Sequence, residues 1–366
     1  MAVAVVLMIA IAGGYVLVAT KAKPQGSKHP AHQPAAVASL KPAAKTLPTL
    51  SITWVGDMNF GTIGNYPAAG SGSLLTDVAS DLRSNLTIGN LETALGTVPL
   101  AKCSKQEKNC FAYEAPTGTA QALRSDGFAA VNVANNHTMD AGTAGEDSTD
   151  AALQAAGLRW AGRPGQITYL TRKGIKIALL GFATWSYDAS MLDIPGAVAM
   201  VRQARQHAQL VIVVIHAGAE GPTAQHVQPG EEYYLGEDRG NSIAFTHAVI
   251  DAGADLVLGS GPHVLRAMQW YHGHLIAYSL GNFCGYNTLA LVGPTAVSAI
   301  LHVTLRSDGT YVRGRITPLV LSEPGTPKPD PARTAIGLIN SLSRDDFARN
   351  GAVRISASGR IRQPRG

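Results

Sequence analysis

The stretch AAVNVANNHTMDAG, residues 129–142, starts as a run of Ala and Val and ends in Asn135, Asn136, His137 and Asp140. A short apolar run bounded by polar residues reads as a buried strand. Three consecutive polar side chains at its end must find partners, because burying each one unpaired costs about 1–3 kcal/mol. Runs of the same kind recur as LSITWVG (50–56), LTIGN (86–90), LVIVVIH (210–216) and DLVLG (255–259). Helical stretches separate several of them. TGTAQALRSDG (117–127) and STDAALQAAG (148–157) open at Thr or Ser near a cap position and close at a glycine suited to end a helix. AVAMVRQARQH (197–207) and NSIAFTHAVIDAG (241–253) behave alike. This alternation is that of an α/β domain. The rest is antiparallel: three hairpins are expected, in 167–183 turning at Lys173 and Gly174, in 267–282 at His272 and Gly273, and in 296–321 around Asp308 and Gly309. Helix-linked strands together with long hairpins argue for two packed sheets flanked by helices rather than one open parallel sheet.

Ligand-type side chains follow five of the apolar runs. Asp57 and Asn59 come after the first, Asn90 and Glu92 after the second, Asn135–His137 with Asp140 after the third, His216 with Glu220 after the fourth and His263 after the fifth. In α/β proteins ligands bind outside the carboxyl ends of strands, so these clusters can converge. A set of Asp, Glu, Asn and His without thiolate suits a divalent ion such as Mn, Fe or Zn. Each cluster alone has a structural alternative: Asp57 shapes a turn, Asn90 and Glu92 begin a helix, His216 is a satisfied core histidine, His263 is a loop residue. Their recurrence at equivalent strand ends favours one shared metal site.

The ordered set GDMNF (56–60), NLE (90–92), ANNHTMDAG (134–142), HAGAE (216–220), GADLVLGSGPHV (253–264) and IAYSLGNF (276–283) resembles the bacterial CapA-type capsule-synthesis proteins, the poly-γ-glutamate group related to calcineurin-like metallophosphoesterases. The resemblance covers about residues 50–321. It implies a four-layer αββα sandwich with one or two metal ions at one edge. Carried over position by position, Asp57, Glu92 or Asn90, Asn136, His216 and His263 would be the metal ligands. His137 would stabilise charge or protonate a leaving group, with Glu220 and Asp140 as its acidic companions. Three positions depart from the family pattern: Asn59 and Ser260 stand where histidines are frequent, and Ala217 where tryptophan is, which puts a second ion in doubt. A bound ion would support hydrolysis. Neither a Walker-type phosphate loop nor a GxSxG elbow is present.

The flanks carry a different message. Residues 2–20 are free of charge and long enough for a membrane span or a signal segment. Residues 21–49 form a Pro- and Lys-rich linker, and residues 322–366 read as a basic, poorly packed tail around one short helix near 331–342. The net charge of +5 resides in these flanks, since 21–49 hold five lysines and no acid, and the body between is net acidic. That distribution argues against a nucleic-acid groove on the body, and no nucleic-acid partner is expected. Basic flanks suit a membrane surface or an anionic polymer. Cys103 and Cys110, with no histidine nearby, predict a local disulfide and an oxidising compartment, the alternative being two unrelated reduced thiols. The expectation is a single-pass, membrane-anchored, extracytoplasmic protein working on envelope polymer or its precursor alongside capsule-synthesis membrane partners. It is either a metal-dependent phosphoesterase-like hydrolase or a non-catalytic polymer-binding component of the export machinery.

Overall fold

A computed structural model describes residues 46–103 and 110–363. The expected membrane segment (1–20) and most of the expected linker lie outside these residues. Among the described residues, no helix is long and apolar enough to cross a membrane.

The large sheet is built on β1 (Thr49–Asn59), β2 (Leu86–Leu91) and β3 (Phe128–Asn132), which run parallel to one another. The smaller sheet has β4 (Ile175–Ala183), β5 (Leu210–His216) and β6 (Leu256–Ser260) at its centre, also parallel. The short strand β7 (Asn282–Gly285) lies parallel to the end of β1, and on the other side of β1 the large sheet continues antiparallel through β8 (Val297–Arg306) and β9 (Tyr311–Ser322). All three expected hairpins form. Lys173–Gly174 and His272–Gly273 each place two consecutive residues at positive φ, the backbone a two-residue turn needs.

Alternation along the strands decides the layers. On β5, Leu210, Ile212 and Val214 enter a core shared with Ile52, Trp54 and Ile88 of the large sheet, whereas Val211, Val213 and Ile215 face the helices Ile194–His207 and Ser242–Asp251. The outer face of the large sheet, with Val55 and Val131, is covered by the helices Gly118–Ser125 and Gly142–Ala155. The result is helix, sheet, sheet, helix, so the central strands are apolar on both faces and their polar residues collect at the ends. The sheets are also tied directly: Trp54 Nε1 donates to the carbonyl of Gly259 at 3.3 Å. Where they approach most closely only glycine fits, and a Cβ on Gly181 would lie 2.1 Å from Asn132 Oδ1.

Local details differ from expectation in two places. The strand in 129–135 stops at Asn132, and the helix expected from Ser148 begins at Gly142, six residues earlier. The larger correction concerns residues 322–366, which are not a loose tail. Thr326–Pro329 pairs with β9, Thr334–Phe347 is a helix of 14 residues, and Arg354–Ile355 and Arg360–Arg362 extend the edge of the large sheet. The prolines of SEPGTPKPDP disguise an amphipathic segment. Ile336, Ile339, Ile355 and Ile361 close the inter-sheet core, and Leu342 and Phe347 pack under the small sheet.

Candidate metal centre

Register brings the polar strand ends together. In the large sheet Asp57 is paired with Asn90 and Asn90 with Asn132; in the small sheet His216 is paired with Ser260. The parallel strands of both sheets end on the same side, so Asp57 faces His216 and His263 across the sandwich. Asp57 Oδ1 lies 3.5 Å from His216 Nδ1, and Asp57 Oδ2 lies 3.2 Å from His263 Nδ1. Glu92 Oε1 is 3.5 Å from His216 Nε2 and 3.6 Å from His263 Nε2. Glu220 Oε2 stands 3.8 Å from His263 Nε2. The loop carrying His263 holds that residue at φ 59°, a left-handed backbone that side chains other than glycine seldom adopt.

Asp57, Glu92 and His263 each offer a ligand atom within 4.8 Å of the others. Two atoms in this cluster, Glu92 Oε1 and His216 Nε2, are buried without any hydrogen-bond partner, and so is Asn136 Oδ1 in the neighbouring loop. Buried polar atoms are nearly always paired, and unpartnered ligand-type atoms beside carboxylates form a donor set that suits a divalent cation. The electrostatics agree. Burial would raise the Asp57 carboxyl, but hydrogen bonds and charge from His216 and His263 outweigh it and hold it well below the usual range. Burial, and then the Asp57 charge, push Glu92 well above its ordinary value. Burial would lower His263, yet Glu92, Asp57 and Glu220 together raise it well above the usual imidazole value.

Beside this cluster His137 Nδ1 meets Asp140 Oδ2 at 2.6 Å. Asp140 is itself gripped from several directions: Tyr113 N donates to its Oδ2 at 2.6 Å, Lys102 Nζ is 3.3 Å from its Oδ1, and Ala101 N donates to its main-chain oxygen at 2.7 Å. His137 is lowered to about 4, mainly by burial and against the pull of Asp140, so it is neutral at pH 7. Glu220 is held below the carboxylate norm: burial would raise it, and the His263 and Arg239 charges prevail. Arg239 donates to Glu220 Oε1 at 2.5 Å and lies over the Trp185 ring at 4.8 Å, and that ring is 5.9 Å from His216.

Among the expected residues, Asp57, Glu92, His216, His263 and Glu220 meet, and His137 pairs with Asp140. Asn90 does not serve as an oxygen ligand. Its Oδ1 accepts from Asn132 Nδ2 at 2.8 Å and Asn135 Nδ2 at 3.3 Å, which turns its Nδ2 toward Asp57 Oδ1 (2.8 Å) and His216 Nδ1 (3.1 Å). Its part is to orient Asp57. Asn59, at a position where the family resemblance suggests histidine, braces the loop instead: Nδ2 donates to the Glu92 carbonyl and Oδ1 accepts from Gly61 N. Ser260 Oγ sits 3.4 Å from His216 Nδ1. Sequence reasoning passed over Lys102, Tyr113, Arg239 and Trp185. Lys102, beside Cys103, had a positional cue, whereas Arg239 and Trp185 carried no local signal.

The family model described as bacterial capsule synthesis protein PGA_cap matches residues 51–287, which include every residue of the cluster. The capsule biosynthesis protein CapA of Bacillus anthracis is 29% identical over 310 residues, 76% of this chain and 69% of its own length. The PGA biosynthesis protein CapA of Bacillus subtilis is 29% identical over 303 residues, 76% of this chain and 73% of its own length. Among solved structures, the NAD nucleotidase of Haemophilus influenzae aligns over 79% of this chain and 55% of its own, at 14% identity and a TM-score of 0.39, a likeness too slight to carry an argument.

Proposed function

The chain belongs to the bacterial capsule synthesis protein PGA_cap family, and from that membership we propose that its folded body is a metal-dependent, phosphoesterase-like hydrolase acting on an anionic envelope polymer or its precursor outside the cytoplasm. The observation that carries this reading is the cluster of Asp57, Glu92 and His263, with Glu92 Oε1 and His216 Nε2 buried and unpartnered beside it. Asp57, Glu92, His263 and His216 would hold a divalent ion, and Asn136 is the further candidate ligand. Such an ion supplies Lewis acidity toward a phosphoryl or carbonyl oxygen.

The protein groups have separable tasks. Asn90 and the Gly261 amide, 3.3 Å from Asp57 Oδ2, fix the Asp57 carboxylate. Asp140 Oδ2 accepts from His137 Nδ1, which fixes the ring and, in the neutral imidazole, leaves Nε2 as an acceptor: it would take a proton from an attacking water, and would give one to a leaving-group oxygen only after taking it up. Arg239 and Lys102 place positive charge on two sides of the pocket, where an anionic substrate would be steered. The position outside the cytoplasm is supported by the Cys103–Cys110 disulfide, which persists in oxidising compartments. Attachment to the membrane is proposed from residues 2–20. The second reading, a non-catalytic polymer-binding component, is favoured by Asn59 and Ser260, whose side chains are committed to structural contacts.

Metal analysis of the full chain beside a panel of phosphodiester and γ-glutamyl substrates separates the two. About one divalent ion per chain is expected, lost in Asp57→Asn. His137→Ala should keep the ion and lose turnover by about 100-fold or more. A folded wild-type chain that takes up no ion, or turnover indifferent to both substitutions, would overturn the hydrolase reading.

A further inference from the structure

A cavity of about 420 Å³ opens on the outer face of the large sheet, lined by His302, Thr304, Arg313, Arg315, Ser358 and Arg360. Strand alternation explains how so many cations share one face. Ile316, Ile355 and Ile361 point into the inter-sheet core, so Arg315, Arg354, Arg360 and Arg362 must point the other way. Register then sets like charges directly against each other, Arg315 opposite Arg360 and Arg354 opposite Arg362. Such pairs destabilise a sheet, and the one carboxylate that reaches them is Asp81, 3.1 Å from Arg315, among the described residues. Arg313, Arg354, Arg360 and Arg362 are exposed. Three adjacent strands carry the row, about 10 Å across, which is wider than one small anion can bridge. His302 pairs with Thr53, four residues before Asp57 on β1, so the face lies about 13 Å along the strand from the metal cluster.

We propose that this arginine face is a docking site for an extended polycarboxylate chain, separate from the metal centre. Guanidinium forks bind carboxylates in pairs, and successive acidic groups along a chain would neutralise the opposed arginines. The identity of the polymer rests on the functional reading above; the existence of the site does not. Arg354, Arg360 and Arg362 come from the segment that looks like a tail in sequence, and folding joins them to Arg313 and Arg315 of the hairpin in one surface.

The test uses the full chain and fluorescein-labelled polyglutamate, followed by anisotropy at about 50 and about 200 mM salt. Replacement of three exposed arginines by glutamine (R313Q/R354Q/R360Q) should weaken binding about tenfold or more and flatten its salt dependence. The melting temperature should not fall, since opposed charges are relieved. The control R172Q/K176Q, on the smaller sheet, should bind as wild type. Equal binding by the triple variant overturns the proposal. So does loss of binding only when the lysines of 21–49 are replaced, preference for anionic lipid vesicles over polymer, or displacement of the polymer by inorganic phosphate at low millimolar concentration. Metal content and hydrolysis are measured on the same samples: intact binding in a protein without activity would refute the hydrolase reading and leave this one standing.

Discussion

Replacing Glu232 by glutamine probes how the acidic side of the pocket is held. Arg266 and Glu232 are 1% and 6% exposed, and they form a bidentate pair, Nη1 to Oε1 at 2.8 Å and Nη2 to Oε2 at 2.7 Å. The same two side chains anchor the loop that carries Glu220: Ala219 N donates to Glu232 Oε2 at 3.0 Å, and Arg266 donates to the carbonyls of Ala224 (2.7 Å) and Ala219 (3.1 Å). Glutamine keeps the shape and one acceptor but leaves the guanidinium buried without its counter-charge. Breaking a buried pair on one side costs about 3–5 kcal/mol, and the retained hydrogen bond points to the lower end. For a body of about 320 residues the unfolding entropy is about 0.7 kcal/mol/K, so about 3 kcal/mol lowers the melting temperature by about 4–5 °C. Differential scanning calorimetry reads this directly. The double variant Glu232→Leu with Arg266→Met, which removes both charges, should recover most of the loss. A Glu232→Gln protein melting within about 1 °C of wild type would show that the pair does not anchor the loop.

Two further outcomes are expected. Replacing both Cys103 and Cys110 by serine opens a loop with a sequence separation of 7, which costs about 2–3 kcal/mol by the chain-entropy relation. Because Lys102 and Tyr113 flank that loop and both hold Asp140, the variant should also lose hydrolytic rate while retaining its metal, and an unchanged rate would contradict this. His302 is lowered to about 4, chiefly by burial and then by the Arg315 charge, so the fold favours its neutral form. The unfolded chain takes up the proton from about pH 6.5 downward. Stability from this residue is therefore full above pH 6.5 and declines between pH 6.5 and 4, by up to about 3 kcal/mol. Urea titrations at pH 7 and 4.5 should show a smaller acid loss in His302→Gln than in wild type.

Much of the architecture was legible because it depends on short-range pattern. The apolar runs 50–56, 86–90, 210–216 and 255–259 are strands, and the three turn dipeptides sit in hairpins. Misreadings arose where local composition and burial diverge. SEPGTPKPDP looks like a linker because of its prolines, yet it leads into a helix whose Ile336 and Ile339 complete the core. Asn90 looks like a ligand because it is polar and ends a strand. Its oxygen is consumed by Asn132 and Asn135, which no spacing rule could have foreseen. Arg239 reaches the pocket from a segment whose main chain pairs with that of Glu232, and Trp185 from a separate loop, so neither is visible in local sequence.

From its amino acids alone the chain determines which residues can bind a cation, because donor chemistry and the end of an apolar run are both written locally. It also determines the family, through motifs kept in order over more than two hundred positions. What only the tertiary structure decided is how those donors are shared out. Pairing register set Asp57 within 3.5 Å of His216 and 3.2 Å of His263, turned the Asn90 amide nitrogen toward Asp57 and left Glu92 Oε1 without a hydrogen bond. The same register turned a scattered excess of arginines into a single face. Both results depend on contacts between residues far apart in sequence, and the energy of such contacts appears only when the sheets have packed.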